Sequence, residues 1–322
     1  MSRMISDVQR MEAENMGKKI LSVFVALVFF VTQAGFALAA TPEAVQDKLG
    51  AVEKDTYGTV QTGALMDRLN KLERDYDGSH RTGSMSARIN AIYEEVYTNS
   101  STPSILANLN AIEWYVSHEV SMDSVEDRIV NLEQLLKGKT STGTYRKRID
   151  ALQKVAFGAD KVPLSLVTVP ANTLIKAKLV TPVNTKNIEV GDRVAFQVAQ
   201  DVMVDGNLVF AKGLSGEGRV AKVKHAKNFG RNAELEVDFE KTKAIDGRYV
   251  DTFVGDEAKK EMKQLAMAAG ASLAGMVILG PVGIIAGAFV KGKDIDLPAG
   301  TEFYLQTKAD TPLYGVVSTQ AE

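Results

Sequence analysis

The sequence predicts an α+β multidomain protein. An N-terminal all-α repeat array is followed by a C-terminal antiparallel β-barrel or sandwich with an inserted Gly/Ala-rich helical hairpin. Three observations predict this. Apolar residues recur with a period of twenty over residues 45–158, the pattern changes from helical to alternating after Pro163, and an apolar run over 265–290 carries no charge. Composition agrees with a folded chain. The 322 residues are 45% hydrophobic and 24% charged with net charge −2, which excludes collagen-like and wholly disordered chains and gives no reason to expect nucleic acid as a partner. There is no cysteine, so a disulfide framework, a thiolate nucleophile and Cys-ligated zinc are excluded.

Residues 1–40 read as a secretory signal peptide whose true start is Met16. Lys18 and Lys19 form a positive region, residues 20–31 are apolar, and Ala37-Leu38-Ala39 is a small-x-small cleavage site. The apolar run of twelve is shorter than the about 20 residues of a comfortable membrane span. An uncleaved anchor is the alternative. No cysteine follows, which excludes a lipoprotein anchor. The expected location is the periplasm or outer membrane of a diderm bacterium.

Residues 41–160 hold six helical repeats of twenty residues, starting at Val45, Leu65, Met85, Ile105, Val125 and Tyr145. The fifth residues are Leu49, Leu69, Ile89, Leu109, Ile129 and Ile149; the eighth are Val52, Leu72, Ile92, Ile112, Leu132 and Leu152. This spacing lies on one stripe of a helix. A basic residue stands at the fourth position in five units (Lys48, Arg68, Arg88, Arg128, Arg148) and an acid at the ninth in four (Glu53, Glu73, Glu113, Glu133). Ser84, Ser104, Ser124 and Thr144 are suited to N-caps, and Gly58, Gly78, Gly138 and Gly158 to left-handed C-caps. Each unit is one short helix plus a turn. Alone it is marginal in water, so its stripe must meet other units or other chains. A zigzag of packed helices and an oligomeric stalk both satisfy this. His80 and His118 have no partner histidine at metal spacing, and Trp114 and Tyr115 on the fourth helix suit core packing or a contact surface.

Residues 163–322 form the β domain. Ile175, Ala177 and Leu179 alternate with polar residues, as do Val194, Phe196 and Val198, and Leu235, Val237 and Phe239. Turn signals separate these runs at Gly191-Asp192, Asp205-Gly206, Lys212-Gly213, Asp246-Gly247 and Ala299-Gly300. Val169-Pro170-Ala171-Asn172-Thr173 recurs as Leu297-Pro298-Ala299-Gly300-Thr301, each opening a strand, and is read as structural.

The insert over 265–290 is broken at Gly280-Pro281 into halves 265–279 and 282–290, with Lys259, Lys260 and Lys263 before it and Lys291 and Lys293 after. Small residues let helix backbones approach closely. Gly270, Ala274, Gly275, Gly280, Pro281, Gly283 and Gly287 are therefore the candidate membrane or oligomer contacts. A membrane-inserting hairpin, a hairpin buried on the barrel and a single bent transmembrane helix are the three readings. The last would split the β domain across the membrane.

The run Pro170-Ala171-Asn172-Thr173-Leu174-Ile175, with Gly191-Asp192, Val204-Asp205-Gly206 and Lys212-Gly213, resembles bacterial envelope β domains of the TrbI type, the barrel components of conjugation and type IV secretion channels. The resemblance covers roughly 169–254 plus the insert. It implies that the insert is the counterpart of a helical hairpin that passes the outer membrane. The chain departs from that family in having a signal peptide and helical repeat in place of an inner-membrane helix and proline-rich stretch.

No enzyme is read in the sequence. Gly213-Leu214-Ser215-Gly216-Glu217-Gly218 has neither nucleophile-elbow nor dinucleotide spacing, and no P-loop, HExxH or EF-hand loop occurs. A cell-wall hydrolase would need paired carboxylates, which the sequence does not place. No cofactor or metal is expected. Lys222, Lys224, His225, Lys227 and Arg231 suit lipid phosphate or a solvated strand face. The expectation is a non-enzymatic, outer-membrane-associated structural or channel-assembly protein, homo-oligomeric, meeting lipid through 265–290 and an envelope protein or cell-wall partner through the repeats. The alternative is a soluble periplasmic adaptor whose hairpin belongs to its own core.

Overall fold

The computed structural model describes residues 42–100, 102–158, 162–226, 233–268, 278–279, 284–286 and 294–317. The chain forms two compact units, Met1–Val45 and Gln46–Glu322. Apart from the start of the first helix, every helix and strand among the described residues lies in the second unit.

Six helices occupy the predicted repeat: α1 (Pro42–Tyr57), α2 (Leu65–Asp77), α3 (Met85–Tyr97), α4 (Ile105–Ser117), α5 (Val125–Lys137) and α6 (Tyr145–Phe157). Ser84, Ser104, Ser124 and Thr144 each accept a hydrogen bond from the backbone N–H three residues on, which satisfies one orphan amide of α3 to α6. Gly78 and Gly138 end α2 and α5 in the left-handed region (φ 81° and 69°). His118 takes that conformation at the end of α4 (φ 53°). All twelve stripe residues at the fifth and eighth positions are buried, none more than 3% exposed. Each such aliphatic side chain contributes about 1.5–3 kcal/mol. The stripes are covered within one chain, which is the packed-helix solution.

The β domain begins at β1 (Leu164–Val169). The strands β2 (Leu174–Leu179), β4 (Arg193–Val198), β7 (Ser215–Lys224), β8 (Glu234–Lys243), β9 (Tyr249–Phe253) and β13 (Glu302–Thr307) form a closed antiparallel ring in the order β8-β7-β4-β2-β13-β9, with β9 returning to β8. Closure leaves these six without a free sheet edge along the paired stretches. Phe196, Phe239 and Phe303 fill the ring, with centroids 4.4–5.7 Å apart. A second sheet runs β1-β14-β6-β5, with β5 (Val202–Val204), β6 (Asn207–Phe210) and β14 (Thr311–Val317); β3 (Val183–Asn184) pairs with β12 (Asp296–Leu297).

The duplicated Pro-Ala-x-Thr motif builds the same turn twice. Asn172 and Gly300 have φ 63° and 84°. The Thr173 and Thr301 hydroxyls donate to the Pro170 and Pro298 carbonyls, both at 2.7 Å. The strands after these turns, β2 and β13, pair with each other. The motif is thus a strand-opening device, as its residues predicted.

The helical hairpin expected over 265–290 lies largely outside the described residues, which include only 265–268, 278–279 and 284–286 of it. Helix α7 (Asp256–Ala268) includes its first four residues. Ile278–Leu279 (β10) and Ile284–Ala286 (β11) are strands. They pair with each other, and β11 adds to β8 with Ile284 opposite Glu236 and Ile285 opposite Leu235. Two causes favour strand. β-branched residues such as isoleucine favour strand over helix. The N-terminal half of β8 also has an edge to offer, because β9 pairs only with Lys241, Thr242 and Lys243.

Candidate functional site

The fourth and ninth repeat positions meet across consecutive units. Arg68 donates to Glu53 (2.8 and 2.5 Å), Arg88 to Glu73 (2.9 and 2.5 Å), Arg128 to Glu113 (2.8 Å) and Arg148 to Glu133 (3.2 and 2.8 Å). Each carboxylate also accepts a backbone N–H from the returning loop, from Gln61, Arg81, Ser121 and Ser141 at 2.8–3.1 Å. The glutamates are buried, three of them fully. Burial pushes the Glu73 and Glu133 carboxyls up, but the arginine and backbone donors outweigh it and hold both below the usual carboxylate range. These clasps fasten helix to loop to next helix.

The clasp is missing at one place. Tyr93 stands at the ninth position of the third unit and Asn108 at the fourth position of the fourth. Gln153 and Lys48 end the pattern at the two extremes. The array is therefore two three-unit modules built to one plan. They meet where the Tyr76 and Tyr145 rings pack edge-on at 5.3 Å and where Arg146 pairs with Asp77 and Glu95.

The modules differ at the eleventh position. In the first, Asp55 accepts from the Tyr97 hydroxyl, Asp75 from the Tyr57 hydroxyl, and Glu95 pairs with Arg81 and Arg146. In the second the same position holds Tyr115, Leu135 and Val155, exposed by 47%, 64% and 51%. Tyr115 stacks near Phe157 at 4.7 Å. These side chains are an exposed apolar set on α4, α5 and α6.

The array lies against the β domain. Ala111 and Val120 belong to the same apolar core as the barrel. The Val120 N–H donates to the Lys212 carbonyl (2.8 Å), Glu119 pairs with Lys212 (2.8 Å), and the Trp114 indole donates to Asp201 (2.8 Å). Gly213, at φ 93°, is obligatory there: a Cβ would fall 2.0 Å from the Val120 carbonyl oxygen. A cleft of about 300 Å³ between array and barrel is lined by Lys54, Asp55, Arg128, Arg193, Glu217 and Tyr249 among others. Its charges are of both signs, which gives no preference for an anion or a cation.

The sequence-predicted contacts Gly270, Ala274, Gly275, Gly280, Pro281, Gly283 and Gly287 lie outside the described residues, as do Lys227, Arg231 and the signal segment. Lys222 is engaged by Glu234 and Glu236 (2.7 and 3.0 Å) and Lys224 by Glu234, so this part of the basic stretch is a cross-strand ion-pair face. In the glycine run, a Cβ on Gly216 would fall 2.1 Å from the Phe196 ring, so that glycine serves packing. His225 Nδ1 lies 2.6 Å from the Thr185 carbonyl oxygen. Among the described residues no group of three or more His, Cys, Asp or Glu is placed to hold a metal ion, and no helix is long and apolar enough to cross a membrane.

No protein-family model and no curated protein matches the sequence. Among solved structures, the chain matches ComB10 of the Com type IV secretion system of Helicobacter pylori. Identity is 15%, coverage is 44% of this chain and 88% of that chain, and the TM-score is 0.26.

Proposed function

We propose that the chain is a non-enzymatic cell-envelope protein, exported and seated at the periplasmic side of the outer membrane as a structural or channel-assembly component. The observation that carries this reading is the 26-residue charge-free run over 265–290, which begins within α7 and includes β11, paired with β8. Removing so much apolar surface from water favours lipid or sister chains as its surroundings. The helical array is the rigid interaction body, with Tyr115, Leu135 and Val155 as the surface for an envelope or cell-wall partner. Homo-oligomerisation follows if the inserts of several copies assemble. Fractionation tests the reading: the mature chain stays with the membrane fraction until detergent is added. Release into the soluble periplasm without detergent overturns it.

A second reading is a soluble periplasmic adaptor whose insert completes its own sheet. The pairing of β11 with β8 favours it. Deleting residues 265–290 separates the two. Under the membrane reading the barrel keeps its fold and becomes soluble; under the adaptor reading it unfolds.

A further inference from the structure

We propose that the tight turn over residues 244–248 is a joint that locks the helical array to the β domain and replaces the clasp missing between the third and fourth repeats. Three bodies converge on these five residues. The turn itself joins β8 to β9 of the barrel, closed by the Ala244 N–H on the Arg248 carbonyl (2.7 Å). The second sheet holds it through the Ile245 N–H on the Val209 carbonyl (2.9 Å), the Tyr314 N–H on the Asp246 carboxylate (3.1 Å), and Arg248 on the Pro312 carbonyl. The array holds it through two side-chain amides. Asn99, in the seam between the modules, donates to the Asp246 carbonyl (2.8 Å), and Asn110, on α4, donates to the Ile245 carbonyl (2.9 Å).

Both asparagines face two ways. Asn99 accepts the Ser104 N–H (2.9 Å) at the start of α4 with its oxygen, and Asn110 accepts from Arg128 (2.7 Å), the arginine of the Glu113 clasp. The turn is thereby wired into the clasp network at the point where that network is interrupted. Asn110 is 2% exposed and Asp246 fully buried, so these bonds are made away from water, where an unpaired amide or carbonyl is costly. Gly247, at φ 86°, brings the turn against the Leu106 side chain, leaving 3.1 Å to where a Cβ would stand. The joint has a conformational role: together with the contacts of Val120 and Trp114 on the Lys212 and Asp201 loop, it makes array and barrel move as one body.

The chain has no cysteine, so two can be introduced and spin-labelled without background. Labels go at exposed sites on the first module and on the β domain, Asp67→Cys and Val190→Cys, in the full-length protein. The parent gives one narrow distance distribution and one calorimetric unfolding transition. Asn110→Asp keeps the acceptor for Arg128 and removes the donor to Ile245; Asn99→Ala removes the other bond. Each single change broadens the distribution, and the double change splits the transition into separate array and barrel steps while far-UV circular dichroism keeps its helical signal. Asn131→Ala, an exposed asparagine on α5, leaves both readouts unchanged. A narrow distribution with one transition in Asn99→Ala and in the double variant overturns the proposal, including when the melting temperature falls uniformly.

Discussion

Replacing Arg88 by alanine tests the repeat architecture at its most heavily bonded clasp. Arg88 is 9% exposed and Glu73 fully buried. The change removes two hydrogen bonds to Glu73 and one to Asn70. What remains is a buried carboxylate held by the Arg81 N–H, with the half-exposed His80 ring 3.7 Å away. Leaving one partner of a buried ion pair uncompensated costs about 3–5 kcal/mol, a large share of the about 5–15 kcal/mol that stabilises a typical domain. The double change Glu73→Gln, Arg88→Met is expected to cost less, about 1–2 kcal/mol, because no charge is stranded and the Gln carbonyl still accepts the Arg81 N–H. Urea unfolding followed by circular dichroism at 222 nm and pH 7 reads both. An Arg88→Ala cost below about 1 kcal/mol, or a double variant less stable than the single one, would refute the clasp as the bond between repeats.

Three further outcomes are expected. The folded Glu133 carboxyl is more acidic than in the unfolded chain, so the stability it contributes is full above the unfolded value of about 4.3 and is lost as pH falls through the lower folded value; urea midpoints fall between pH 5 and 3, and Arg148→Ala makes that slope shallower. Gly213→Ala forces a Cβ into the Val120 carbonyl and strains a positive φ, costing about 1–3 kcal/mol; an unchanged denaturation midpoint contradicts the described docking of array on barrel. Trp114 is the only tryptophan, so Asp201→Ala, which removes the acceptor of its indole and of the Lys212 N–H, shifts its emission to the red and costs about 1.5–3 kcal/mol; an unmoved spectrum speaks against that contact.

The repeat was legible because a twenty-residue period and a helical stripe are both local patterns: Leu49 through Ile149 and Val52 through Leu152 are buried as their spacing demanded. The alternating strands β2, β4 and β8 were legible for the same reason. The clasps were half-visible. The recurring arginine and glutamate stood out, but a separation of fifteen residues places them on different helices, and only the return path of the loop joins them. Joint recurrence of both, and joint absence at Tyr93 and Asn108, was the usable signal. Asp246-Gly247 was legible as a turn, but the bonds of Asn99 and Asn110 to it were not, since they go to backbone carbonyls brought close by docking. In the insert, an apolar run without alternation does not distinguish helix from strand, and the open stretch of β8 that decides it at Ile284 and Ile285 belongs to tertiary structure.

The claim on which the function rests is that the uncharged segment leaves water by entering lipid. Flotation of the purified full-length protein with phospholipid vesicles on a density gradient tests it most directly. Wild-type protein is expected to rise with the vesicles and to resist a high-salt wash, while a folded variant lacking residues 265–290 stays at the bottom. Wild-type protein that remains at the bottom as a monodisperse monomer would contradict the account.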